Sequence, residues 1–76
     1  MTFKEFQKGV NDIVLRSGTK TRVGFYHDHE RNRFFANFPD GMRIVGNPCS
    51  LRIRVQWGSG HVAFADLQKE SEVVNV

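Results

Sequence analysis

Apolar residues near the start of the chain recur at spacings of three and four. They are Phe3, Phe6, Val10, Ile13 and Val14. Because an α-helix turns once in about 3.6 residues, this spacing puts all five along one side of an amphipathic helix. We expect this stripe to pack on the rest of the domain.

Both ends of the helix carry sequence signals. Thr2 is followed three residues later by Glu5, which is the spacing of a capping box, in which each side chain bonds the backbone N–H of the other residue. Ser17 and Gly18 follow the last apolar positions, and glycine readily takes the left-handed conformation that is common after a helix. The helix is therefore predicted to begin just after Thr2 and to end at Ser17.

From Lys20 onward, apolar and polar residues alternate in short runs that are separated by turn-forming residues. Alternation is the pattern of a half-buried β-strand, in which successive side chains point to opposite faces. The predicted strands are 21–28, 33–38, 42–45, 51–57 and 61–67, with turns at 29–32, 39–41, 46–48 and 58–60. The short connections favour antiparallel neighbours.

The order of these elements predicts an α+β fold. We expect the N-terminal helix to be followed by a five-stranded antiparallel meander, which forms either a twisted sheet or a small barrel. A chain of 76 residues has room for one hydrophobic core, so we assign 1–67 to a single domain. Residues 68–76 begin as a polar and acidic segment, and we expect this C-terminal tail to be loosely held, with a brief added edge strand as the alternative.

The alternation also predicts which strand residues face the core. In the run 51–57, the inward positions would be Leu51, Ile53, Val55 and Trp57. Their neighbours in the run would face outward. Applied to the first four strands, the same rule places these residues on one outer face: Arg22, Tyr26, Arg33, Phe35, Asn37, Arg43, Arg52 and Arg54.

Positive charge is concentrated in the same region of the chain. The net charge is +3, but eight of the 11 basic residues lie in 16–54, against three acidic residues. Most of these basic residues are arginines, which suit bidentate contact with phosphate and stacking on rings. The distribution favours an acidic partner, and nucleic acid is the first candidate.

These features predict a small non-catalytic domain that binds nucleic acid, with single strands of RNA or DNA favoured over duplexes. Aromatic rings among arginines suit a single strand, because bases stack on the rings while guanidinium groups contact phosphates. Tyr26 and Phe35 would stack bases. The arginines that would contact phosphates or extend the basic track are Arg22, Arg33, Arg43, Arg52 and Arg54.

Other interpretations of this face stay open. It could belong to a small adaptor or inhibitor that docks on a larger protein, or to a homo-oligomer, because Tyr, Phe and Arg are also enriched at protein interfaces. Tyr26 and Phe35 could be an ordinary cross-strand pair, and the arginines could protect the strands from edge pairing.

A reaction centre is not expected. The segment 27–30 holds two histidines and two acidic residues, which are acceptable ligands for zinc, but alternation brings only His27 and His29 to one side of a strand. A third ligand would have to be Glu30, Cys49 or His61. A solvated polar turn is the stronger interpretation, and a metal-dependent enzyme is the weaker one.

Cysteine content and apolar run lengths indicate the compartment. Cys49 is the single cysteine, so the chain has no internal disulfide, and we expect a buried or partly buried thiol without a catalytic role. No apolar run resembles a signal peptide or approaches the ~18 residues of a membrane span. We therefore expect a soluble cytoplasmic protein that is not an enzyme, needs no cofactor and does not contact membranes.

Overall fold

The computed structural model describes residues 1–67 of the chain. Its elements, in chain order, are helix α1 (Phe3–Ser17) and strands β1 (Gly24–Asp28), β2 (Arg33–Asn37), β3 (Arg43–Gly46), β4 (Arg52–Gln56) and β5 (Val62–Asp66). The predicted α+β fold, with one helix before five antiparallel strands, is confirmed. The predicted tail at 68–76 lies outside the described residues.

Helix α1 begins and ends at the predicted signals. The Thr2 hydroxyl accepts a hydrogen bond from the Glu5 backbone N–H at 3.1 Å, and the Glu5 carboxylate accepts one from the Thr2 N–H at 2.7 Å. At the other end, Gly18 has a φ of 73°, and its N–H donates to the Leu15 carbonyl at 3.2 Å. These bonds satisfy backbone groups that a helix leaves unpaired at its ends.

The strands form one sheet in the order β1-β2-β3-β4-β5, and every neighbouring pair is antiparallel. β1 and β5 are the two edges, so the described strands form an open sheet rather than a barrel. The turn between β2 and β3 has the predicted chemistry. The Asp40 carboxylate accepts from the Met42 N–H at 2.9 Å, and Gly41 has a φ of 94°, which favours glycine.

Helix α1 covers one side of the sheet, which we call the inner face. Phe6 and Val10 on the helix are fully buried, and the ring of Phe6 lies 5.6 Å from the ring of Phe34 on β2. Fully burying a large apolar side chain contributes about 1.5–3 kcal/mol, so these contacts hold the helix on the sheet. The buried core consists of Phe6, Val10, Phe34, Ala36, Phe38, Ile44, Ile53 and Leu67.

Most predicted strand boundaries are within one residue of the structure, but the first strand begins at Gly24 rather than at 21. The reason lies in its neighbour. Gly24 pairs with Asn37, the last residue of β2. Beyond it, the Phe38 N–H donates to the Met42 carbonyl, and Pro39 has no N–H to donate. Residues 21–23 therefore have no strand with which to pair.

Three apolar residues predicted to face the core are substantially exposed. Leu51 and Trp57 are 41% and 37% exposed, because both lie just outside β4, where the alternation ends. Trp57 instead helps close the next hairpin through its N–H, which donates to the His61 carbonyl at 2.9 Å. Ile13 is 38% exposed. It lies about 60° around the helix axis from Val10, at the margin of the stripe.

Candidate nucleic-acid interface

The side of the sheet opposite α1 is the outer face, and no described helix or strand covers it. Antiparallel register sets the outward residues of neighbouring strands side by side. The central row takes one residue from each strand: Tyr26, Phe35, Val45, Arg54 and Phe64. The row above it consists of Gly24, Asn37, Arg43, Gln56 and Val62. Arg33 and Arg52 lie on the other side of the central row, because they come two residues before Phe35 in β2 and two residues before Arg54 in β4.

Two aromatic rings and one arginine form a cluster on the β1–β3 half of this face. The rings of Tyr26 and Phe35 are stacked, with centroids 6.2 Å apart and planes at 27°. The Arg43 guanidinium lies 5.6 Å from the Phe35 ring centroid, and its Nε donates to the Asn37 side-chain oxygen at 3.0 Å. Tyr26 remains 57% exposed. The cluster therefore presents a ring and a held cation to solvent.

Arg54 and Phe64 form the β4–β5 half of the central row. They are directly opposite in the register of β4 and β5, and Phe64 is 63% exposed. Within residues 1–67, the Arg54 side chain makes no hydrogen bond or ion pair. This half therefore presents a second exposed ring next to an available guanidinium.

Arg33 and Arg52 are more engaged than Arg54. One Arg33 Nη donates to the carbonyls of Arg31 and Asn32, at 3.2 and 3.3 Å. The Arg52 Nε lies 3.7 Å from an Asp66 carboxylate oxygen, and both side chains are exposed. Exposed ion pairs of this kind contribute about 0–1 kcal/mol, so Arg52 can exchange this partner for another anion at little cost.

Two acidic residues, Asp28 and Asp66, also occupy outward strand positions, and both have partners. One Asp28 oxygen accepts from the backbone N–H groups of Glu30 and Arg31, and the other lies 3.8 Å from the Arg31 guanidinium. Asp66 is paired with Arg52. The four strand arginines therefore outnumber the acids, and the acids are partly neutralised where they stand.

The structure brings six of the seven predicted site residues to this face. These are Tyr26, Arg33, Phe35, Arg43, Arg52 and Arg54. The seventh, Arg22, is exposed in the connection before β1, so the sheet register does not determine its position. Their contact with nucleic acid stays a prediction.

Sequence reasoning missed Phe64 and Val45 in the central row. Alternation in the fifth strand puts Phe64 on the same side as Asp66, but it does not decide which side faces outward, because Val62 and Phe64 are bulkier than the two alanines between them. Val45 carries no polar signal. Only the pairing of β3 with both neighbours reveals that it joins the two halves of the row.

The histidine cluster lies away from the outer face. His27 is opposite Phe34 in the β1–β2 register, and its ring lies 5.2 Å from Phe3 and 4.8 Å from Phe34. The His29 ring is 3.9 Å from that of His27. Among residues 1–67, no group of three or more histidine, cysteine or acidic side chains is arranged to hold a metal ion.

Cys49 differs from the sequence prediction. The thiol was expected to be buried or partly buried, but the residue is exposed. It lies in the β3–β4 loop, where the Cys49 N–H donates to the Asn47 side-chain oxygen at 2.9 Å. Pro48 lies within this turn, and its carbonyl accepts from the N-terminal ammonium at 2.8 Å.

In the described part of the chain, no helix has the length and apolar character needed to cross a membrane. Comparison with models of protein families, with curated proteins and with solved structures found no match to this chain. What this protein binds must therefore be inferred from the chemistry of its outer face.

Proposed function

We propose that this protein is a small non-catalytic domain that binds single-stranded nucleic acid on the outer face of its sheet. The observation that supports this proposal most strongly is the central row, which crosses all five strands with three rings, one arginine and Val45 between them, and in which the rings of Tyr26 and Phe64 are exposed. Arg43 lies on one side of this row, and Arg33 and Arg52 lie on the other side.

The dimensions of the row suit more than one base. Neighbouring strands lie about 4.8 Å apart, so the row from Tyr26 to Phe64 extends about 19 Å across the sheet. Tyr26 and Phe64, the two most exposed rings of the face, stand at opposite ends of it. A single strand of nucleic acid that crosses the sheet can stack one base on Tyr26 and another on Phe64, while the phosphates between these bases pass the arginines.

Single strands fit this surface better than duplexes. Stacking on a protein ring requires the face of a base, which a duplex keeps within its own stack, and groove recognition generally requires an element that enters the groove. The single described helix, α1, uses its apolar stripe to cover the inner face. Within residues 1–67, no element covers the outer face, so the sheet can display side chains to unpaired bases.

A protein partner or a second copy of this chain is the competing occupant of the same face. Exposed Phe64 and Val62 on edge strand β5 would suit such contacts. Charge favours nucleic acid, because four strand arginines face outward and the two outward acids already have partners. A second copy would bring the same positive charges against one another unless the acids of each copy were rearranged.

The test measures fluorescence anisotropy of a labelled single-stranded oligonucleotide and of its duplex, at low salt, with the protein's mass determined in the same buffer. We expect saturable binding with higher affinity for the single strand. The control replaces Lys4 and Lys8, two exposed helix residues, with alanine and should bind as the wild type does. Absence of binding at low salt, a preference for the duplex, or a dimer that excludes the oligonucleotide would each contradict the proposal.

A further inference from the structure

A hollow opens on the outer face where β3 and β4 separate. The register between these strands ends at Val45 and Arg54. Beyond this pair, Gly46 still pairs with β2 and Ile53 still pairs with β5, but these two residues do not pair with each other. The resulting space, which we call the β3–β4 hollow, has a volume of about 400 Å³, within the range of small-ligand sites. The polar and aromatic side chains that line it are Arg33, Asn47, Ser50, Arg52, Arg54 and Phe64.

The two loop side chains in the hollow have hydrogen-bond donors to spare. The Asn47 side-chain oxygen accepts from the Cys49 N–H, and the Ser50 hydroxyl oxygen accepts from the Arg52 N–H, both at 2.9 Å. Each residue therefore uses its acceptor to hold the β3–β4 loop. The amide N–H groups of Asn47 and the hydroxyl hydrogen of Ser50 remain to donate to a ligand.

Three guanidinium groups add further donors. Arg33 enters from β2, and Arg52 and Arg54 enter from β4. No carboxylate lines the hollow among residues 1–67, and Asp66 touches it only through its weak ion pair with Arg52. A site with donors from five side chains and no lining acid excludes cations and attracts an oxyanion, and arginine suits phosphate in particular.

Phe64 provides an apolar wall beside these donors. Its ring is largely exposed and lies opposite Arg54 in the sheet register. An aromatic surface next to a cluster of phosphate donors matches the two parts of a nucleotide, its base and its phosphate. A bare sulfate or phosphate would leave this ring unused.

We propose that the β3–β4 hollow binds the phosphate of a nucleotide whose base stacks on Phe64. This inference rests on the proposed function and assigns one subsite within it. The phosphate has two sources, an internal phosphodiester or a terminal phosphomonoester. A monoester carries a charge of roughly −1.5 to −2 near neutral pH, which three arginines would favour over the single charge of a diester.

The first experiment compares AMP with adenosine by isothermal titration calorimetry. AMP should bind and adenosine should bind at least about tenfold more weakly, because the hydrogen bonds to a charged phosphate are lost. Arg33→Gln and Arg54→Gln should each weaken AMP binding about tenfold. Lys8→Gln is the control, since Lys8 is an exposed basic residue of α1 and does not line the hollow. Phe64→Leu should weaken AMP and adenosine alike.

The second experiment uses single-stranded oligonucleotides with a 5′-phosphate or a 5′-hydroxyl group. Tighter binding of the phosphorylated oligonucleotide, lost in Arg33→Gln but kept in Lys8→Gln, identifies a terminal phosphate as the ligand. Equal weakening of both strands by Arg33→Gln identifies an internal phosphate. Both outcomes support the hollow as a phosphate subsite, provided that circular dichroism shows each variant to be folded.

The two proposals fail in different ways. If the wild type binds oligonucleotides and the Arg33 and Arg54 variants bind them equally well, the hollow is not a phosphate subsite, while the proposed function stands. If no oligonucleotide binds but AMP binds and depends on Arg33, the proposed function is wrong and the hollow is a mononucleotide site. If neither ligand binds, both proposals are overturned.

Discussion

Removing Arg52 and Arg54 together should flatten the salt dependence of single-strand binding. Four strand arginines face outward, at Arg33, Arg43, Arg52 and Arg54. If each neutralises one phosphate, the slope of log K against log salt concentration is about −2.8 for the wild type and about −1.4 for the double alanine variant. Between about 50 and 200 mM salt, affinity should then fall about 50-fold for the wild type and about 7-fold for the variant.

The assay is fluorescence anisotropy of a labelled single strand at four or more salt concentrations. Both arginines are exposed, and replacing them should change the free energy of unfolding by less than about 0.5 kcal/mol each, so a flattened slope cannot come from unfolding. The Lys4→Ala and Lys8→Ala double variant removes the same charge from the helix and should keep the wild-type slope. An unchanged slope in the arginine variant, or an equal change in the lysine variant, would refute the assignment of phosphate contacts to this face.

Substitutions on the outer face should change binding, whereas substitutions in the core should change stability. Tyr26→Ala should lose about 1–3 kcal/mol of binding free energy, as expected for one stacked base, and Tyr26→Phe should retain most of it. Urea unfolding should show little change in the stability of either variant, because this ring is exposed. Phe6→Ala should cost about 3–5 kcal/mol in the same unfolding experiment, a large part of the stability of a domain of this size, since Phe6 is fully buried. Gly46→Ala should lower the free energy of unfolding by about 1–3 kcal/mol, because the new Cβ would lie 2.9 Å from a Phe6 ring carbon. Gly24→Ala, whose new Cβ has its nearest neighbour at 3.8 Å, is the control and should have a smaller effect. Cys49 should react fully with a thiol reagent such as Ellman's reagent in the folded protein without added denaturant, whereas protection until unfolding would contradict its exposed position.

The elements of this fold could be predicted because their signals are local. The capping pair at Thr2 and Glu5, the left-handed Gly18 and the turn at Asp40 and Gly41 each depend on residues within a few positions of one another. Alternation likewise assigns outward strand residues before any partner strand is known, since it reflects the geometry of a single strand. For this reason the spacing of Arg52 and Arg54 alone predicts that both lie on the same side of β4.

The exposure of residues at the ends of strands could not be predicted from the alternation. Leu51 and Trp57 continue the alternating pattern of β4, but the pairing of β4 with its neighbours ends before them. Burial depends on what lies opposite a residue, and a sequence pattern does not contain that information. Cys49 illustrates the same limit, because its exposure follows from a loop held by Asn47 and by the N-terminal ammonium, 47 residues away from Pro48.

The sequence by itself determined a helix, five strands, and the presence of arginines and rings at outward positions. Only the tertiary structure decided that the sheet stays open, that the helix lies on the side opposite these residues, and that Phe64 completes the row from the last strand. It alone also produced the β3–β4 hollow, which lies where the pairing of β3 with β4 ends while each strand continues to pair with its other neighbour. The physical reason is that strand periodicity is a property of a few consecutive residues, whereas register, coverage and cavities arise from contacts between segments that are distant in the chain.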